Sequence, residues 1–183
     1  MALTESTMLE LGTTAPDFSL PDVVSGKNVS LNQLGGKPLL VLFICTHCPF
    51  VKHVEKGLAK LGADYASKPL NIVAISSNDA KSYPDDAPEG LRAQATRLGF
   101  NFPYLYDETQ QVARAYDAAC TPDIYLFDKA LRLAYRGQFD PSRPGNNIPV
   151  TGQDLRAAID SVLTGRPVTQ DQRPSVGCNI KWK

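Results

Sequence analysis

The feature that most constrains this chain is the junction spanning residues 38–65. Pro38-Leu-Leu-Val-Leu-Phe-Ile-Cys45 is a continuous apolar run of strand length, the pattern of a strand buried on both faces. The period then changes. Val51, Val54, Leu58, Leu61 and Tyr65 fall on one helical face, and Lys52, Glu55, Lys56, Lys60 and Asp64 take the other. A helix is predicted to begin at or just after Cys48, because Pro49 suits a first helical turn, where its missing N–H is not needed. Leu70 to Ser76 is a second buried strand. Strand, helix and strand in this order imply a right-handed crossover and a parallel pair. Cys45-Thr46-His47-Cys48 therefore puts one thiol at the end of a central strand and the other at the start of the next helix.

Two thiols three positions apart across such a junction can close a small disulfide ring. The helix N-terminus offers unpaired N–H groups and partial positive charge, which favour thiolate over thiol. A thiolate attacks a disulfide through a mixed-disulfide intermediate, and the second thiol releases it. Cys45 and Cys48 are the candidate catalytic pair, with Thr46 and His47 in supporting positions between them. His47 either adds positive charge or a hydrogen bond to a thiolate, or is an exposed loop histidine. Stabilising the thiolate makes the disulfide a stronger oxidant, so the expected potential lies above that of a strongly reducing dithiol, about −270 mV. A closed zinc site needs four ligands, typically two such pairs or Cys and His at finger spacing. There is one Cys-x-x-Cys, and His53, Cys120 and Cys178 are scattered, so no metal and no other cofactor is expected.

The rest of the 183 residues read as one α/β domain over 1–165, with 166–183 as a polar tail packed on or near it. Turn-formers and short apolar pieces over residues 11–34 predict a small hairpin. Asn78 to Gly90 is an acidic, proline-bearing loop in which Asp85, Asp86 and Glu89 read as solvated surface. A helix over Leu91–Leu98, a strand over Phe102–Tyr106 and a helix over Thr109–Ala118 follow. Asp123–Asp128 and Leu131–Phe139 form an antiparallel hairpin, and Asp140–Val150 is a loop whose Arg143 either is brought near the site or is simply solvated, as a loop Arg usually is. Thr151-Gly-Gln-Asp154 is a capping box opening a last helix, stopped by Gly165 and Pro167.

Nineteen basic and nineteen acidic residues cancel, which argues against a nucleic-acid or membrane-surface partner held by bulk charge. The apolar run Leu39–Cys45 is too short to span a bilayer. The first ten residues lack a basic segment followed by an apolar stretch, so a cytoplasmic location is expected. In such a reducing compartment a Cys pair is catalytic more often than structural.

Ala15-Pro-Asp-Phe-Ser-Leu-Pro-Asp22, Gly36-Lys-Pro-Leu-Leu-Val-Leu-Phe43, Cys45 to Pro49, and Thr121-Pro122 before a strand together resemble the thioredoxin-like superfamily. The resemblance is to its alkyl hydroperoxide reductase/thiol-specific antioxidant branch of peroxiredoxin-like proteins. Gly177-Cys-Asn-Ile-Lys-Trp-Lys183 is similar to the ending of a peroxiredoxin-like subgroup with a Cys-x-His-Cys-Pro motif. The resemblance implies a central mixed β-sheet flanked by helices, with an N-terminal hairpin extension. It implies that Pro122 is cis and faces the active site, and that Thr121 pairs its backbone with an extended substrate. Two departures from peroxiredoxins point toward disulfide exchange. Cys45 stands where they have Thr, and Pro122 stands near their Arg, the two groups that polarise a peroxide O–O bond. The thioredoxin Trp before the motif is also absent, replaced by Phe43 and Ile44.

The expected function is thiol–disulfide exchange with protein or small-molecule disulfides, supported by an upstream thiol reductant. The alternatives are a thiol peroxidase that reduces hydroperoxides at Cys48, and a redox-responsive binding module. Thioredoxin logic makes Cys45 the attacking thiol and peroxiredoxin logic makes it Cys48; the expectation is Cys45. Cys120 either lies near the dithiol or is a small buried residue entering a strand. Cys178 either resolves a sulfenic acid, or accepts a disulfide from Cys48, or is an inert tail residue.

Overall fold

The computed structural model describes residues 3–183. In chain order it contains β1 (Leu3–Glu5), β2 (Ser19–Pro21), β3 (Asn28–Ser30), β4 (Leu39–Phe43), α1 (Pro49–Asp64), β5 (Asn71–Ser76), α2 (Pro88–Leu98), β6 (Tyr104–Tyr106), α3 (Gln111–Ala115), β7 (Cys120–Thr121), β8 (Asp123–Phe127), β9 (Leu133–Arg136), α4 (Gln153–Leu163) and β10 (Val176–Asn179). A mixed sheet in the order β6-β5-β4-β8-β9 forms the centre. β4 runs parallel to β5 and antiparallel to β8. β2 and β3 pair as the predicted hairpin.

β4 reads as an unbroken apolar run because helices and loops cover both of its faces. Leu40, Leu42 and Ile44 pack with α1, α2 and α4, while Leu39, Val41 and Phe43 pack with α3 and the N-terminal segment. Burying each such Leu contributes about 1.5–3 kcal/mol. α1 starts where Pro49 predicts, with Cys48 as its N-cap, and buries Val51, Val54, Leu58 and Leu61. Among the described residues, no helix is long and apolar enough to cross a membrane.

α2 begins at Pro88, three residues before the expected Leu91, and α3, β9 and α4 also differ from their sequence expectations. α3 covers only Gln111–Ala115, because Gln110 and Asp117 at its flanks take positive φ, and the Asp107 carboxylate receives the Ala113 N–H at 2.9 Å. β9 stops at Arg136 rather than Phe139, because Gln138 N–H turns away to the Arg173 carbonyl. The capping box at Thr151 does not form. Gly152 is the N-cap of α4, and Asp140 Oδ2 accepts the N–H groups of Thr151 and Gly152 at 2.8 and 2.7 Å.

The C-terminal segment carries a strand that the sequence reading did not predict. β10 lies between β1 and β7, antiparallel to both, with Cys178 opposite Leu3 on one side and Thr121 on the other. Gly177 makes this approach possible: a Cβ there would sit 2.0 Å from the Thr121 carbonyl oxygen. Gly177→Ala is expected to lower the stability of the reduced protein by about 1–3 kcal/mol, read from the urea midpoint. An unchanged midpoint would show that β10 and β7 can separate at no cost.

Candidate active site

Ile44 N–H still bonds the Ile75 carbonyl, so the chain leaves the sheet only at Cys45. Cys45 lies just past the end of β4 and Cys48 caps α1, as the spacing predicts. Both side chains are fully buried, and none of the four cysteines is in a disulfide. The Cys45 carbonyl accepts from Gln94 Nε2 at 3.1 Å, which fixes the strand exit against α2.

Cys48 is the better-supplied sulfur. Its Sγ lies 2.7 Å from Cys178 Sγ and 3.3 Å from the Thr121 carbonyl oxygen, to which the protonated thiol donates. As a thiolate it is held down to a pKa of about 4, chiefly by hydrogen bonding from the Cys45 thiol, with help from Cys178, Thr121 and the Val51 N–H in the first turn of α1; burial opposes this. Cys45 moves the other way. Its role as donor to Cys48, its burial and the nearby Asp86 carboxylate raise it well above the usual thiol range, so it holds its proton. Thr121 Oγ1 lies 3.5 Å from Cys45 Sγ.

Asp86 holds the turn between the two cysteines. The loop pattern predicts a solvated surface for it; its side chain is instead fully buried. Asp86 Oδ1 accepts from Thr46 N–H at 2.8 Å and from Thr46 Oγ1 at 2.7 Å. Asp86 Oδ2 accepts from His47 Nδ1 at 2.5 Å and from Asn78 Nδ2 at 2.9 Å. The His47 hydrogen bond therefore goes to Asp86 rather than to a thiolate, and the ring stacks on Tyr83 at 5.0 Å between centroids. Cys45 Sγ, a His47 nitrogen and an Asp86 oxygen lie within 4.8 Å of one another, donors that could share a metal ion.

The other predicted residues divide. The Thr121–Pro122 peptide bond is cis, and Thr121 contacts both catalytic-pair sulfurs, so the structure brings Thr46, Thr121 and the cysteine pair together. The Thr121 backbone is already paired, with β10. Cys178 is buried against Cys48 rather than lying in a solvated tail. Cys120 is buried in β7, its thiol 3.5 Å from the Pro122 carbonyl, and burial keeps it protonated. Arg143 is half-buried: its guanidinium donates to Gln138 Oε1 at 2.7 Å and to two carbonyls of its own loop, beside a small cleft lined by Phe50, His53 and Pro122. A larger cavity of about 670 Å³ lies beside Pro38, at the opposite end of β4 from the thiols.

Comparison with known proteins agrees with this geometry. The model of the AhpC/TSA family matches residues 11–136. Thiol-disulfide oxidoreductase ResA of Geobacillus thermodenitrificans is 29% identical over 126 residues, covering 69% of this chain and 68% of that one. Rv2521 of Mycobacterium tuberculosis, provisionally named a peroxiredoxin, is 31% identical over 173 residues, covering 86% and 98%. A crystal structure of an uncharacterized conserved protein from Geobacillus kaustophilus superposes with a TM-score of 0.98 at 55% identity, covering 100% of this chain and 97% of that one. The chain has the thioredoxin-like fold and belongs to the AhpC/TSA family.

Proposed function

We propose that Cys45 and Cys48 are the working thiols of this thiol–disulfide oxidoreductase, with Cys48 as the attacking thiolate and Cys45 as the thiol that releases the product. The observation that carries the assignment is the placement of Cys48 at the N-cap of α1, where Cys45, Cys178, Thr121 and the Val51 N–H all favour its charge. The expectation from the sequence is attack by Cys45. The hydrogen-bonding pattern supports the reverse order, because Cys45 is the donor and keeps its proton. In the reductive direction the Cys48 thiolate attacks a substrate disulfide and expels one half as thiol. Cys45 then attacks the mixed disulfide at Cys48, frees the other half, and leaves the Cys45–Cys48 disulfide for an upstream thiol to reduce. The proposed setting is the cytoplasm, with protein or small-molecule disulfides as substrates.

Hydroperoxide reduction has less support. The position three residues before Cys48 carries Cys45 rather than a Thr, and the loop facing it carries Thr121 and Pro122 rather than an Arg, so the two groups that would polarise an O–O bond are missing from those positions.

Trapping tests the order of attack. In a Cys178→Ser background, chosen because Cys178 also touches Cys48, Cys45→Ser is expected to accumulate mixed disulfides with a reducible protein such as insulin. Cys48→Ser in the same background is expected to accumulate none. Adducts on the Cys48→Ser protein alone would return the attack to Cys45.

A further inference from the structure

We infer that Cys178 is a third redox thiol, to which the disulfide formed at Cys45–Cys48 passes within the chain. The inference rests on the reading of Cys45 and Cys48 as the working pair and adds a step after it.

The geometry comes from opposite ends of the sequence. β10 pairs with β7 so that Cys178 stands opposite Thr121, and the absent side chain at Gly177 lets the two strands close to contact. Thr121 is also the residue whose carbonyl lies 3.3 Å from Cys48 Sγ. One strand pairing thus delivers a second sulfur to the one thiol that already faces Cys45, at 2.7 Å, with Cys178 only 3% exposed. The segment after it is tied down as well. The Ile180 N–H bonds the Ala119 carbonyl, the Lys181 N–H bonds Asn78 Oδ1, and the Lys181 carbonyl accepts from Asp79 N–H and Gln110 Nε2. Cys178 is therefore held in place, and Cys48 has two sulfur neighbours with which it can form a disulfide.

The step balances without an added reagent. In the oxidised protein the Cys178 thiolate attacks Cys48 Sγ. The Cys48–Cys178 bond forms, the Cys45–Cys48 bond breaks, and Cys45 leaves as a thiolate that takes up the proton Cys178 gave away. Nothing is oxidised or reduced overall. The electrostatics change in the needed direction. In the reduced protein burial and the Cys48 thiolate together raise Cys178 to a pKa of about 12, while Lys181 lowers it. Once Cys48 is in a disulfide its negative charge is gone, and the Lys181 contribution remains. The result is an oxidised β10 and a Cys45 thiol freed for exchange.

The test uses the full chain equilibrated in glutathione buffers of varied ratio, quenched with acid, alkylated and digested with trypsin. Cys45 and Cys48 have no Lys or Arg between them and share a peptide, whereas Cys178 lies in another. The wild-type protein is expected to yield both an internal disulfide in the first peptide and a cross-link between the two peptides. Their ratio should stay constant as the buffer changes, because interconverting them transfers no electrons. Cys178→Ser should lose the cross-link and keep the internal disulfide, and Cys45→Ser should show the cross-link alone. An internal disulfide with no cross-link at any ratio would overturn the third-thiol step and leave the working pair intact. Absence of the internal disulfide at every ratio would overturn the working pair itself.

Discussion

Asp86→Ala is expected to lower the stability of the reduced protein by about 3 kcal/mol and to slow disulfide exchange. The fully buried carboxylate accepts from four donors: Thr46 N–H, Thr46 Oγ1, His47 Nδ1 and Asn78 Nδ2. Removing it leaves three of those donors, the Thr46 N–H, His47 Nδ1 and Asn78 Nδ2, without an acceptor, and each buried unpaired group costs roughly 1–3 kcal/mol, less where water or relaxation can compensate. Three of the four belong to Thr46 and His47, so the turn that sets Cys45 against Cys48 loses its anchor. Thr46 retains only the bond from its hydroxyl to the Asp85 carbonyl, and His47 only its stack on Tyr83. Asp86→Asn should fall between wild type and alanine, since one of its two oxygens becomes an NH₂ that faces donors. Urea unfolding gives the stability, and insulin reduction gives the exchange rate. An alanine variant with both values at wild-type level would mean that the turn is held by something other than the carboxylate.

The contrast between Asp86 and Cys48 explains what the sequence made legible. The position of the cysteine pair is encoded locally. An apolar run on one side and a helical period with Pro49 on the other define the junction within 28 residues, 38–65. Asp86 has three of its four donors 39 and 40 residues away in the chain, on His47 and Thr46, and only Asn78 close by. Within its own loop it is one of two adjacent aspartates, and only its neighbour's local pattern, that of a solvated turn, can be read. The same reasoning covers β10. Val176-Gly-Cys-Asn179 has no apolar alternation, and it becomes a strand only because β1 and β7 leave a slot that a glycine can enter. At α4 a local pattern, Thr151 to Asp154, loses to a distant one, because the Asp140 carboxylate satisfies the same helix terminus from outside. The cis Pro122 was readable from the family resemblance. Its neighbour Thr121, expected to pair with a substrate, is occupied by the chain's own C-terminal strand.

Titration of the reduced protein is expected to show one thiolate that persists from pH 8 down to about 5 and is lost near the Cys48 pKa of about 4. The sign follows from comparing folded and unfolded chains. The unfolded Cys48 thiol binds its proton up to its ordinary value of 9.0, while the folded one releases it near 4. Between those values the unfolded state holds more protons, so the stability of the reduced protein rises with pH, by up to about 1.4 kcal/mol per pH unit. The contribution is complete above about pH 9 and is lost as the pH falls through about 4. The disulfide form has no such group and shows no such slope. The raised pKa of Cys45 takes nothing back at pH 7, since that thiol is protonated in both folded and unfolded states. The reduced form is therefore favoured over the disulfide, and the couple should be more oxidising than about −270 mV, each 1.4 kcal/mol of thiolate stabilisation raising it by about 30 mV. Ultraviolet absorbance of the thiolate follows the titration, Cys48→Ser should abolish it, and glutathione equilibrium gives the potential. A single thiol titrating near 9 together with a potential at or below about −270 mV would show that the donors around Cys48 do not hold its charge, and the assignment of Cys48 as the attacking thiol would fall with them.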